Sequence, residues 1–65
     1  MKVTYDPETD SLVITLRDVP IHESDEISPG VIADFGEIGG VVRIEVLRAS
    51  QVVDDPEQVS FTTTR

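Results

Sequence analysis

The chain has no cysteine, few aromatic residues and only short apolar runs. Without thiols, disulfides, Cys-based zinc sites and thiol catalysis are excluded, and the composition fits a reducing cytoplasm. Apolar runs of two or three residues fall far short of the about 20 that span a bilayer. The start of the chain meets an Asp-Pro turn before any apolar stretch. We therefore expect no signal peptide and a cytoplasmic protein.

Basic residues are also scarce. Thirteen acidic residues stand against five basic ones, which gives a net charge of -8. Phosphate backbones and anionic membranes carry the same sign, so nucleic acids and membrane surfaces are disfavoured as partners. A field of this sign favours encounter with a basic protein. The acidic composition also has a simpler explanation, because a net charge keeps a small domain soluble.

The N-terminal region has the pattern of a β-hairpin. Residues 3–5 and 12–16 each alternate apolar with polar side chains, which is typical of half-buried strands. Between them, Pro7 fixes its φ angle near -65°, and Asp side chains accept hydrogen bonds from backbone N–H groups two residues on. The pattern predicts two strands, with Asp6 and Asp10 both folded back onto the turn.

Three later segments also favour extended structure. Residues 21–27 are polar and acidic, which predicts a short edge strand, because charged side chains deter edge-to-edge pairing. Residues 31–35 and 41–47 predict two further strands. Residues 36–40 join them, and the glycines of this loop suit a hairpin that needs positive φ.

The strand pattern stops after Leu47. Residues 48–53 can form one or two helical turns, and Asp55 followed by Pro56 is typical of a helix start. Residues 60–65 are expected to form either a small added strand or a frayed tail.

These segments predict one small domain over residues 1–65, of α+β class but mainly β. Consecutive strands joined by short loops favour a single antiparallel meander of about four strands in near-sequential order, with a short C-terminal helical segment. The expected core comprises Val3, Tyr5, Leu12, Ile14, Leu16, Ile32, Phe35, Val42, Ile44 and Val46.

Asp6, Glu8 and Asp10 have the alternate spacing with which a calcium-binding loop begins. Such a loop needs Gly at its sixth position and Glu at its twelfth, where this chain has Ser11 and Arg17. We therefore expect these carboxylates to stabilise the turn, and we expect no metal site.

The remaining chemical candidates are weaker. His22 lies near Ser24 and Ser28 in sequence, but a nucleophile and base also need a third group that orients the imidazole. The glycine-containing loop 36–40 leads into a strand, whereas phosphate loops lead into a helix. We expect no catalytic residue, no cofactor and no enzymatic activity.

Three blocks of sequence resemble, in order and spacing, the small prokaryotic proteins called domain of unknown function 2283. The resemblance covers about residues 1–50, and the blocks are Tyr5-Asp6-x-x-x-Asp10-x-Leu12-x-Ile14-x-Leu16, Pro29-Gly30-Val31-Ile32-x-Asp34 and Gly40-Val41-Val42-x-Ile44-Glu45-Val46-Leu47-x-Ala49-Ser50. The resemblance implies a compact antiparallel sheet with a short C-terminal helical segment, and no established activity. Two positions depart from the family's usual residues: Arg43 stands where Gly is usual, and Gly36 where an acidic residue is usual.

Two classes of function remain open. The first is a non-enzymatic acidic module that binds another protein; in its sharpest version it is an antitoxin-like subunit that masks the cationic face of a small basic toxin of ribonuclease type. The second is a small-ligand or enzymatic role at a homo-oligomer interface, where His22, Asp34, Arg43 and Glu45 from different chains converge.

We also expect a homodimer. Two patches are candidates for its interface: the predicted edge strand 21–27, and the mixed side of the last strand, formed by Val41, Arg43, Glu45 and Leu47. The patch that does not form the dimer remains available to a basic partner.

Overall fold

The protein is a single antiparallel sheet of five strands. A computed structural model describes residues 1–65. The strands are β1 (Lys2–Asp6), β2 (Ser11–Thr15), β3 (Ile21–Ser28), β4 (Val31–Gly36) and β5 (Val41–Leu47), followed by one 3-10 turn (Ala49–Gln51). Neighbouring strands lie in the order β1-β2-β5-β4-β3, and every adjacent pair is antiparallel.

The prediction of about four strands in a sequential meander is wrong in number and order. β5 inserts between β2 and β4, and residues 16–20 carry the chain from β2 to the far edge of the sheet. This order buries apolar side chains, because β5, the strand with the most regular apolar alternation, lies at the centre of the sheet. The acidic strand β3 takes an edge, where all eight of its residues are exposed. The expectation of an edge strand at residues 21–27 is confirmed.

The prediction of a C-terminal helical segment, and with it the α+β class, is also corrected. After β5 the chain makes only the 3-10 turn, which follows Arg48 in a left-handed conformation with φ 50°. Asp55 does cap a turn, since its side chain accepts a hydrogen bond from the N–H of Glu57 at 3.0 Å. No helix follows, because residues 58–64 are rich in β-forming side chains and carry no helical apolar pattern. Residues 60–65 form neither helix nor strand.

The pairing register sorts the side chains onto two faces. One face is largely apolar, and we call it the covered face because the C-terminal turn packs on it. Its members include Val3, Tyr5, Leu12, Ile14, Val31, Ala33, Val42, Ile44 and Val46, and Asp25 of β3 lies on the same side. The other face, which we call the open face, comprises Lys2, Thr4, Asp6, Ser11, Val13, Thr15, Ser24, Glu26, Ile32, Asp34, Arg43, Glu45 and Leu47.

The core lies on the covered face and is small. Leu12, Val46 and Ala49 form a buried cluster, against which Tyr5, Ile44 and Val53 pack. At the other end of the sheet, Val42 and Ala33 are each only 1% exposed. Gly36 lies against Val42 so closely that a Cβ at this position would come within 3.1 Å of a Val42 methyl carbon. Close packing therefore accounts for this glycine.

Part of the predicted core is wrong. Val3 and Leu16 are exposed, because β1 is an edge strand and Leu16 lies beyond the end of β2. Ile32 pairs with Glu45 on the open face. Ala33 and Ala49, which were not predicted to lie in the core, are buried.

Truncation of Val42 tests this placement of the core. Val42→Ala removes two methyl groups from a buried site and should lower the free energy of unfolding by about 1.5 to 3 kcal/mol. Ile38→Ala is the control, because Ile38 is 101% exposed in the loop between β4 and β5, and it should change stability by less than about 0.5 kcal/mol. Equal effects of the two variants in urea unfolding would mean that the assignment of the covered face is wrong.

Candidate functional site

Four polar side chains from three neighbouring strands meet on the open face. The register sets Ser24 of β3, Asp34 of β4 and Arg43 of β5 in one row, with Glu45 two residues along β5. The side chain of Asp34 is fully buried. It accepts hydrogen bonds from the Ser24 hydroxyl and from Arg43 Nε, the latter at 2.8 Å. Arg43 Nη2 donates to Glu45 Oε2 at 3.4 Å. We call these four residues the Asp34 network.

The two carboxyl groups of the network titrate differently. Interaction with the neighbouring Asp34 carboxyl group, together with burial, raises the pKa of Glu45 above its usual value. Burial also opposes ionisation of Asp34, but interaction with Glu45 and the hydrogen bonds from Ser24 and Arg43 outweigh it and hold the pKa of Asp34 below its usual value. Asp34 is therefore the ionised partner of Arg43, and Glu45 is the group that takes up a proton first on acidification.

The Asp34 network fixes the position of one cationic side chain, Arg43, on the open face. Arg43 is held by two carboxyl groups, yet 36% of its side chain stays accessible. Of His22, Asp34, Arg43 and Glu45, which were expected to converge from different chains, the last three already meet within one chain; convergence between chains stays a prediction. His22 is exposed on β3, in the irregular stretch between Ile21 and Glu23. The hydroxyl of Ser24 is directed to Asp34, so no nucleophile and base pair forms with His22.

The structure places three of the four residues of the predicted interaction patch on one face of the sheet. Arg43, Glu45 and Leu47 share the open face, and Leu47 is 41% exposed. Val41 is half-buried and lies where a bulge interrupts the pairing of β4 with β5, so the simple alternation ends there. The patch lies on β5, the last strand along the chain, which occupies the centre of the sheet between β2 and β4.

Sequence reasoning did not place Ser24 in a network with Asp34. A signal was present, because a carboxylate between the apolar residues Ala33 and Phe35 is unusual in a strand interior. The loop 36–40 closes a hairpin, which brings Arg43 opposite Asp34.

The edge strand β3 is the second candidate surface. Its outer edge is unpaired, and the exposed carboxylates of Glu23, Asp25 and Glu26 are flanked by Ile21 and by Ile27, which is 58% exposed. Apolar side chains at both ends of an acidic strand give this edge both charge and apolar surface.

A groove at one end of the sheet gathers most of the positive charge. Lys2, Arg17 and Arg43 line it, which are three of the chain's five basic residues. Its apolar wall includes Leu16 and Val19. The concentration of cations contrasts with the net charge of the whole chain.

Asp10 joins the N-terminal hairpin to the C-terminal turn. Its carboxylate accepts hydrogen bonds from the Tyr5 hydroxyl at 2.7 Å, the Ser50 hydroxyl at 2.6 Å and the Ser50 N–H at 3.0 Å. The carbonyl of Asp10 also accepts the N–H of Ala49 at 2.9 Å. Bonds from Ser50 and Tyr5 lower the pKa of Asp10, and the bond to Asp10 with burial raises the pKa of Tyr5 to about 12. We call these contacts the Asp10 joint.

The expected role of the turn carboxylates is confirmed for Asp6 and corrected for Asp10. Asp6 folds back on the turn and accepts the N–H of Glu8 at 2.9 Å. Asp10, in a left-handed conformation with φ 55°, turns to Ser50 instead, 40 residues later in the chain. No local pattern could reveal this contact, although Asp10 and Ser50 both lie in the blocks that carry the family resemblance.

A family model described as "Protein of unknown function (DUF2283)" matches residues 2–50 of the 65-residue chain. The chain belongs to this family. The matched span contains the strands, the Asp34 network and the Asp10 joint. No curated protein and no solved structure matches the chain. None of its helical segments has the length and apolar character needed to cross a membrane.

Loss of the Ser50 hydroxyl tests the Asp10 joint. Because the folded state lowers the pKa of Asp10, the stabilisation is present above the unfolded-state value of about 3.9 and is lost as pH falls through the lowered folded value. Ser50→Ala should lower the melting temperature at pH 7. The difference in melting temperature between this variant and the wild type should shrink as the pH falls through the lowered pKa of Asp10. Ser60→Ala, in the exposed tail, is the control. A Ser50→Ala protein that melts like the control at pH 7 would contradict the joint.

Neutralising Glu45 tests the Asp34 network. The folded-state pKa of Glu45 is raised, so its stabilising contribution is fully present below the unfolded value of about 4.3 and is lost as pH rises through the folded value. Relative to the wild type, Glu45→Gln should therefore be more stable at pH 7 than at pH 4. Chemical unfolding at both pH values measures this difference. Glu37→Gln, in an exposed loop, is the control. A stability difference between Glu45→Gln and the wild type that is the same at both pH values would contradict the raised pKa of Glu45.

Proposed function

We propose that the chain is a non-enzymatic interaction module that binds a basic protein along β3. The observation that carries the proposal is the edge itself: β3 has eight exposed residues and an unpaired outer edge, with carboxylates between two exposed isoleucines. The net charge of -8 supports it, because a field of this sign steers cationic proteins toward the chain.

The chemistry of an acidic edge determines which partner it accepts. An unpaired edge offers backbone N–H and C=O groups to an incoming strand. A second copy of β3 would bring Glu23, Asp25 and Glu26 against the same charges, which disfavours self-pairing. A strand that carries Lys or Arg at alternate positions meets complementary charges instead, and Ile21 and Ile27 supply apolar contacts at the ends.

The most specific form of the proposal is an antitoxin-like role. A small toxin of ribonuclease type needs a cationic face to hold RNA, and an acidic module bound to that face would block the substrate. The acidity of β3 and of the whole chain supports this form.

A second candidate is the binding of a small anionic ligand in the groove lined by Lys2, Arg17 and Arg43. The gathering of cations beside apolar side chains favours it. It ranks second because two carboxyl groups already hold Arg43. Substitution of Arg17 by Glu would abolish this binding and leave binding at β3 intact.

Charge reversal on β3 tests the main proposal. The wild-type chain serves as bait in its native host, and any basic protein recovered is purified and titrated against variants. A triple variant with Glu23→Lys, Asp25→Lys and Glu26→Lys should bind this partner at least about tenfold more weakly. If the partner is a ribonuclease, the wild-type chain should inhibit it and the triple variant should not.

The matched control separates the edge from net charge alone. Glu8→Lys, Asp18→Lys and Glu37→Lys change the charge by the same amount at exposed positions outside β3, and this variant should lose affinity only within a few fold. An equal loss of affinity in both triple variants would show that binding depends on the total charge of the chain and not on the β3 edge. A search that recovers no basic protein would refute the proposal.

A further inference from the structure

We infer that the open face binds the open face of a second copy of this chain, so that the protein is a two-fold symmetric homodimer with the Asp34 network at its interface. The inference concerns a different surface from β3 and does not depend on the proposed function. Three features of the open face carry it: its area, its charge and its self-complementary chemistry.

The open face has an area suited to a stable dimer. Five strands at about 4.8 Å spacing, each five to eight residues long at about 3.3 Å per residue, give a projected area of roughly 400 to 550 Å². Corrugation by side chains brings the accessible area toward the about 800 Å² per partner of a standard interface. The C-terminal turn packs on the covered face and not on this one. Val13, Ile32 and Leu47 contribute its apolar surface.

Charge decides that the occupant is a second copy and not a basic partner. The whole chain carries -8, so two copies repel least where the charges at the centre of their contact are nearly balanced. On the three central strands, the open face carries Arg43, Asp34 and Glu45, whose charges partly offset one another in the Asp34 network. Lys2, Asp6 and Glu26 lie at the rim of the face, on the two edge strands. The field that attracts a cationic protein comes from β3 and from the turns and tail.

The open face is also complementary to itself. A two-fold interface brings the same patch from both copies together, so each group must find its match within one surface. Arg43 uses two of its nitrogens within its own chain, and the accessible remainder of its guanidinium can donate to Glu45 of the second copy. Beyond the Asp34 network, Val13, Thr15, Ile32 and Leu47 of the same face are apolar or small, as the centre of an interface requires.

The competing surfaces suit a second copy less well. One end of the covered face is already occupied by Ala49 and Val53 from the C-terminal turn. Val59 of the tail lies beside Val3 and Tyr5 of the covered face, and Phe61 is exposed. Pairing of two β3 edges is opposed by their carboxylates.

Sedimentation equilibrium tests the inference on two single variants, each with an aspartate in place of an exposed apolar residue. The wild type should be a dimer at micromolar concentration. Leu47→Asp places a charge inside the interface and should raise the dimer dissociation constant at least about tenfold. Ile38→Asp makes the same change of charge at the loop between β4 and β5, outside the face, and should leave the constant within a few fold. A strictly monomeric wild type, or equal effects of both variants, would overturn the inference.

The distance between spin labels on the two copies tests the same inference even if Leu47→Asp perturbs folding. The chain has no cysteine, so Thr15→Cys places a single spin label on the open face and Phe61→Cys places one on the tail. Packed sheets lie about 10 Å apart, and the label at position 15 should therefore show a short distance between copies that disappears on dilution. The label at position 61 should show no such short distance. The reverse pattern would place the interface at the tail and overturn the inference.

Discussion

The carboxylate of Asp10 joins two parts of the chain that are far apart in sequence, and the buried core depends on this joint. Ser50 and Ala49 are held against the first hairpin by the side chain and the carbonyl of Asp10. Ala49 is thereby brought onto Leu12 and Val46. A chain of this length buries only roughly 60% of its unfolded surface, so one well-placed turn supplies a large share of the cover. The joint lies within the residues that define the family.

A single sheet has two faces, and the segments outside this sheet are long enough to cover only part of one. The turn that follows β5 covers one end of the covered face, and Val19 approaches Gly36 near the other. The open face and the β3 edge remain exposed. They differ in chemistry, because the edge is strongly acidic while the open face holds its one arginine between two carboxyl groups. This difference supports separate roles for the two surfaces, one for a basic partner and one for a second copy.

The strand segments could be predicted from the sequence, and the strand order could not. Alternation over residues 41–47 is a local property, and β5 has these bounds. The pairing of β5 with β2 depends on the path of residues 16–20, which no short pattern encodes. The helix expected after Asp55 failed because a start signal was read without an apolar face to follow it. For the candidate sites, a hairpin places Asp34 near Arg43 predictably, whereas Ser50 meets Asp10 only through the tertiary fold.

The measurement that tests the central claim most directly is a dilution series of the isotope-labelled protein followed by NMR. The account predicts that, from millimolar to low micromolar concentration, the methyl resonances of Val13, Ile32 and Leu47 shift together. Those of Ile27 on the acidic edge and the ring resonances of Phe61 in the tail should stay constant. Shifts confined to Ile27 or Phe61, or no concentration dependence in any resonance, would contradict the claim that the open face is where two copies meet.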